Sequence, residues 1–298
     1  MTPQQALLGA LLATLVFSSA PACIRAVSLD TVSLGIVRLG MASAAMTCVL
    51  IVQRKLTLAE LRSWSVHTWK VMFLVGLAFG IHWVLFFLSI KVGGAAVGAI
   101  GFSTYGIQLL LLGWLLGLSR VTRLDLIGLA LAIMGTILLA PEFSWDNQHT
   151  QGLVIGIASG FFAACVPLLH QRHSKVDVHL RTWGQFVVSL LVFVCLCPYA
   201  KWDFRSSDIP LLLYLGLFVA WLGHGLWIRV TTVLSTTTLS ILTYLYLPSS
   251  LAISFLTLGE RLAPQMLVGT AFVLAANAIV LWNQAKSRAL EAQLPEPT

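Results

Sequence analysis

Ten stretches of apolar residues, none shorter than 17, follow one another along nearly the whole chain: about 6–27, 32–52, 69–90, 94–118 and 124–140, then 153–169, 182–199, 209–228, 234–258 and 262–282. A helix of about 20 residues crosses the hydrocarbon of a bilayer. The fold class this predicts is an all-α integral membrane protein with ten transmembrane helices. Between Val71 and Leu118 the chain is apolar for far longer than one span, and Lys91-Val92-Gly93-Gly94 supplies its only charge and its helix-breaking glycines, which divides it into a hairpin. Charged side chains make up 10% of the sequence and mean hydropathy is +0.90, against roughly 25% charge in soluble domains. That excludes a soluble globular enzyme and, equally, a disordered chain. Ten spans use roughly 200 residues of the 298, so no room remains for an extramembrane domain.

The formal charge of +7 does not point to nucleic acid, because the basic residues are scattered between apolar runs instead of clustered. The partner implied at this point is a lipid bilayer, with the oligomeric state open. Cys23, Cys48, Cys165, Cys195 and Cys197 lie inside apolar segments without the spacing of a metal site, so they read as packing residues, and no metal or cofactor is implied. Met1 to Gln5 carry no Lys or Arg, and Ala20-Pro21-Ala22-Cys23 only superficially imitates a lipoprotein cleavage site, so the first apolar segment is expected to be retained.

Alternate connections differ in basic residues. One set holds twelve (Arg54, Lys55, Arg62, Lys70, Arg120, Arg123, Arg172, Lys175, Arg181, Arg229, Lys286, Arg288) and the other five (Arg25, Lys91, Lys201, Arg205, Arg261). Cytoplasmic connections retain the excess, which predicts an N-in/C-in, multi-pass protein of a cell inner membrane. The 141–151 loop carries Glu142 and Asp146 but no Lys or Arg, as suits an external side.

The sequence also matches itself. A shift of 142 residues places Gly101–Gly117 on Thr243–Gly259 and His82 on His224, while shifts of 146 and 141 bring Pro21 onto Pro167 and Gly128 onto Gly269. Together these predict a five-helix duplication, with one repeat over 1–145, a second over 146–284 and a cytoplasmic tail at 285–298. Five is odd, so the two repeats must be inverted, an arrangement of many secondary transporters, whose binding site lies at the repeat interface near the bilayer midplane.

Pro248, the run Leu258-Gly259-Glu260-Arg261-Leu262-Ala263-Pro264-Gln265, and Gly269 form a P…GE…Q…G pattern near the ninth and tenth helices. With its ten helices and both ends inside, the chain resembles the EamA type of the drug/metabolite transporter superfamily over essentially its whole length. Its first half departs from the pattern, with Gly106 where Pro248 stands and Leu118 where Glu260 stands. The resemblance implies a secondary, non-ATP transporter that works by alternating access. It says little about the cargo, because the family includes exporters of amino acids and other metabolites, drug exporters and uptake systems. The expectation is an exporter of small amphipathic metabolites such as amino acids.

Candidate substrate-binding residues follow from polarity inside the spans. None of the eleven acidic residues falls at mid-membrane, so proton coupling would rest on histidine or Glu260, and exchange or uniport stays open. Arg38 is the one permanent charge clearly within a span. Such a cation faces the protein interior or water, paired with Asp30, Glu260 or carbonyl groups, or else it recognises a substrate carboxylate or phosphate. His82 and His224 are either interhelical hydrogen-bonding residues or proton acceptors. Most tryptophans fall near predicted interfaces as anchors, but Trp83, Trp221, Tyr105 and Tyr244 lie deeper and could offer ring surfaces to an amphipathic substrate. Pro21, Pro167 and Pro248 remove backbone donors and are candidate bends or hinges.

Two other classes compete. Gly101-Phe102-Ser103-Thr104 has a rhomboid-like look that suggests an intramembrane serine hydrolase with His224 as base, but it lacks the glycine that should follow the serine. No HExxH pair, aspartyl dyad or phosphate-binding GxxxxGK[ST] sequence appears either. The expectation is therefore not an enzyme and not an ATP-driven pump. A non-transporting membrane scaffold is the remaining alternative.

Overall fold

The computed structural model describes residues 2–117, 122–139, 144–234 and 245–260, with parts of 264–282. Helices α1 (Pro3–Ala26), α2 (Thr31–Val52), α4 (Val66–Gly93), α8 (Gln148–Arg172) and α9 (Val178–Cys195) begin where a side chain can cap the free amides of a first turn. The caps are Thr2, Asp30, Ser65, Asn147 and Asp177, each accepting from an N–H two or three residues on. A short α3 (Leu58–Ser63) lies between α2 and α4. The span that follows α4 is split into α5 (Ala95–Ser103) and α6 (Tyr105–Leu115). At the break, the Thr104 hydroxyl donates to the Gly101 carbonyl at 2.8 Å and the Thr104 amide reaches the same oxygen at 3.3 Å, which tightens the turn.

Helix α7 covers Arg123–Leu139. The segment from Ser206 to Val233 is composite: a 3-10 turn, α10 (Ile209–Leu213), a π-helical stretch (Tyr214–Gly223) and α11 (His224–Val233). Helix α12 (Tyr246–Leu258) follows. Every regular element among the described residues is helical, and seven stretches are long and apolar enough to cross a membrane. Pro21 and Pro167 stand inside α1 and α8. Pro248, read from sequence as a mid-helix bend, is the third residue of α12 as described.

Contacts between helix ends show how the helices run. At one face, Arg25 Nη1 donates to Lys91 O at 2.8 Å, the His149 ring nitrogen to Gly93 O at 3.1 Å, and Ser28 bonds Asp208. The C-terminal ends of α1 and α4 therefore lie beside the starts of α8 and of the 206–233 segment. At the opposite face, Lys55, just past α2, meets Asp177 at the start of α9 at 2.7 Å, and Arg229, near the end of α11, meets His179 at 3.0 Å. Three corresponding pairs thus run antiparallel: α1 with α8, α2 with α9, and α4 with 206–233. Packing obeys the same exchange. Helix α4 lies against α8 and α9, as 206–233 lies against α1 and α2; α5 and α6 lie against α8, as α12 lies against α1.

Asp30 and Asp177 are the N-caps of α2 and α9, and each also holds the chain beyond the other helix. Asp30 accepts from the Lys201 amide at 3.1 Å and Asp177 from Lys55 Nζ at 2.7 Å. Burial alone would raise the Asp177 carboxyl, but Lys55 and the amides of Leu180 and His179 hold it below the usual carboxylate range.

Helix α4 crosses α8 at backbone contact. A methyl group on Gly152 would stand 2.6 Å from the Gly93 Cα, and Ser89 Oγ donates to Gly152 O at 2.6 Å. Gly152→Ala is expected to lower thermal stability by about 1–3 kcal/mol, because backbone cannot step aside as a side chain can. Gly40→Ala, with nothing within 4 Å of the added methyl, serves as the control and should leave the melting temperature of the purified protein unchanged or slightly raised.

Candidate functional site

Between α1, α4, α8 and α11 lies a partly open cavity whose wall is completed by α5, α6, α9 and α12. Most of the wall is aromatic. His224 stacks on Phe17 with ring centres 4.5 Å apart and meets Phe79 and Trp83 edge-on at 4.8 and 5.4 Å. His82 lies beside Phe86 at 5.8 Å and Phe102 at 5.4 Å, and Phe102 stacks on Tyr105 at 5.7 Å. Of the residues singled out from sequence, His82, Trp83, Tyr105, Pro167 and His224 line this cavity.

The two histidines differ. His82 Nδ1 lies 3.2 Å from the Ser159 carbonyl and 2.8 Å from its hydroxyl, and that hydroxyl donates back to His82 O at 3.1 Å. A carbonyl only accepts, so Nδ1 carries the hydrogen and His82 is a bond between α4 and α8. His224 Nε2, by contrast, is buried and has no hydrogen-bond partner among the described residues.

Three residues lie elsewhere. Trp221 sits in a shallow depression with Ala45, Cys48 and Gln53, away from the cavity, because its helix turns it toward α2. Tyr244 falls outside the described residues. Arg38, 1% exposed, is behind the wall: its guanidinium carbon stands 3.6 Å above the ring of Trp83, whose indole separates it from the cavity, and 5.4 Å from that of Phe87. Its Nε donates to the Leu215 carbonyl in the π-helical stretch at 3.1 Å, and both terminal nitrogens lack a partner among the described residues.

Neither expected counter-ion reaches Arg38. Asp30 is engaged in capping α2. Glu260 accepts from the amides of Ala95 and Ala96, both at 2.9 Å, and so caps α5 from across the bundle. Gly259 ends α12 in a left-handed turn, φ 63°, that delivers Glu260 to this position, and Gly94, φ 97°, receives it where a Cβ would stand 3.3 Å from the carboxylate. The Gly259-Glu260 pair in the sequence pattern is thus a strut between the end of α12 in the second half and the start of α5 in the first.

Sequence reasoning missed the polar end of the cavity. His170 and Gln185, both 1% exposed, line it, and their side chains meet at 2.7 Å. Gln185, an amide inside an apolar span, was a signal that could have been read; His170 falls one residue beyond the expected helix end. Thr14 Oγ1, Trp83 Nε1, Gln185 Nε2 and His224 Nε2 are buried polar atoms of the lining without partners among the described residues. Each costs roughly 1–3 kcal/mol when unmet, so the wall is built of aromatic surface with a few free polar positions, as small-molecule sites are.

Ser103, the candidate nucleophile, donates to the Ile100 carbonyl at 2.7 Å and is not part of the cavity wall.

If the stack holds the cation, the effects of Arg38→Met and Trp83→Leu on thermal stability should fall short of additivity. A coupling of about 0.5–2 kcal/mol is expected for a desolvated cation over an indole. Strict additivity in a double-mutant cycle would refute the stack as Arg38's main support.

A family model described as "EamA-like transporter family" matches residues 4–140 and 150–282. A "Probable amino-acid metabolite efflux pump" of Salmonella typhimurium is 26% identical over 223 residues, covering 67% of this chain and 71% of its own. A solved crystal structure matches with a TM-score of 0.66 and 15% identity over 92% of this chain and 96% of its own; at that identity the likeness concerns the fold alone.

Proposed function

The chain belongs to the EamA-like transporter family, and from that premise we propose that it is a secondary carrier that exports small amphipathic metabolites, amino acids among them, across a bacterial inner membrane by alternating access between two inverted five-helix repeats. The observation that carries this reading is the aromatic cavity, whose wall holds several buried polar atoms without partners among the described residues. The likeness to a relative described as a "Probable amino-acid metabolite efflux pump" supports the direction and the substrate class.

Among the described residues, the polar lining of the cavity lies toward one face. His170 and Thr231 stand in the last turns of α8 and α11 and Gln185 in the second turn of α9, on the face that carries Lys55, Arg172, Lys175 and Arg229. Toward the other face α4 and α8 close on each other at Gly93 and Gly152, and Lys91 Nζ binds the Val27 carbonyl. With the basic face in the cytoplasm, the cavity opens inward, ready to load cargo for export. The charge of Arg38 behind Trp83, with no carboxylate partner among the described residues, favours a cargo with an anionic group.

Purified protein in proteoliposomes should show saturable counterflow with at least one of a panel of amino acids, amines, nucleosides and organic acids, and Phe79→Ala should weaken it at least several-fold while Ser103→Ala does not. Absence of counterflow with the whole panel would instead support a scaffold. Orientation has its own check. In a background without the five native cysteines, a cysteine at Lys175 should be shielded from an impermeant label in intact cells, and cysteines at Asp146 and Lys201 accessible; the reverse pattern overturns the orientation.

A further inference from the structure

The polar end of the cavity is a chain of three buried side chains in which each fixes the next. Arg181, 1% exposed, donates from Nε to the Val176 carbonyl at 2.9 Å and from Nη1 to the His170 carbonyl at 2.8 Å, and the same Nη1 lies 3.0 Å from His170 Nδ1. A guanidinium has five donors and no acceptor. His170 Nδ1 must therefore accept, and the hydrogen of its neutral ring sits on Nε2. That nitrogen is 2.7 Å from Gln185, so the atom of the amide it meets is the oxygen, Oε1. The orientation of Gln185, which amide chemistry alone leaves ambiguous, is thereby decided: its NH2 group is left over, buried, at the cavity wall, with no partner among the described residues.

We propose that the Gln185 amide NH2 is a substrate-binding donor that reads an acceptor oxygen, carboxylate or carbonyl, at the basic-face end of the cavity, and that His170 and Arg181 are positioning residues that keep this donor facing the cargo. The inference deepens the carrier reading and rests on it. It names what the bound molecule carries at that end: an oxygen acceptor, with its apolar part among the rings of Phe17, Phe79 and Trp227. An amine without oxygen has nothing to offer the donor.

Three probes of one shape separate these cases: L-phenylalanine, L-phenylalanine amide, which keeps the carbonyl, and phenethylamine, which has no oxygen. Each is tested as a competitor of counterflow in proteoliposomes, with the best substrate of the wild-type panel as tracer. Wild-type protein should favour the two oxygen-bearing probes over phenethylamine. Gln185→Leu should shrink that preference about tenfold while leaving inhibition by phenethylamine unchanged, and Gln185→Glu should favour phenethylamine over L-phenylalanine. Histidine labelled with 15N provides a reading that needs no cargo: His170 should show the neutral ring protonated at Nε2 in wild type and in Gln185→Leu, which also reports that the variant is folded, and a mixture of tautomers in Arg181→Leu.

The outcomes separate cleanly. A wild type that gives no counterflow with any cargo overturns the carrier reading and this one with it. A working wild type whose Gln185→Leu variant loses all three probes equally, or none, overturns this inference alone. So does a His170 ring protonated at Nδ1.

Discussion

The architecture turns on a reciprocal clamp. Asp30 and Asp177 each start a helix by capping its first amides, and each reaches the chain just past the end of the other's helix: Asp30 to the Lys201 amide, Asp177 to the Lys55 ammonium. Such an exchange is possible only if α2 and α9 lie side by side and run in opposite directions. Once that pair is fixed, the remaining helices have two equivalent sets of neighbours, and the structure fills both, with α4 on α8 and α9 and the 206–233 segment on α1 and α2. The cavity between them is the space that this arrangement leaves at the junction of the two halves.

The polar interior depends on the same placement. Because Asp30 and Glu260 are committed to capping α2 and α5, no carboxylate is available to neutralise Arg38 among the described residues, and the cation rests on an indole face and one carbonyl instead. A guanidinium is more weakly hydrated than an ammonium and stacks on rings, which explains why an arginine can occupy this position. The indole it rests on is also cavity wall, so the charge influences the cavity through Trp83 without touching its contents.

Hydropathy made the spans legible: the apolar runs at 32–52 and 153–169 fall inside α2 and α8, and the run at 6–27 overruns the end of α1 by one residue. Self-similarity made the His82 and His224 correspondence legible too, and both rings do line one cavity. Arg38's surroundings were not, since the fate of Asp30 and Glu260 depends on which helix ends meet across the bundle. Trp221 and Trp227 could not be sorted either: the π-helical stretch changes the angular step per residue, and only Trp227, past its end, faces the cavity. The tautomer of His170 is a tertiary fact, set by an arginine that a linear reading places in a loop.

Arg38 and Gln185 each stand eight residues beyond the aspartate that caps their helix, Asp30 and Asp177. They are counterparts under the exchange of halves, one a fixed cation and the other a neutral amide. In a chain with two identical halves, swapping their conformations would return the same molecule upside down, and its two states would have equal free energy. The difference between the states is therefore written only where the halves disagree. If the carrier proposed above alternates between these two states, a position occupied by charge in one half and by an uncharged amide in the other weights them unequally, and a single side chain there sets the resting tilt.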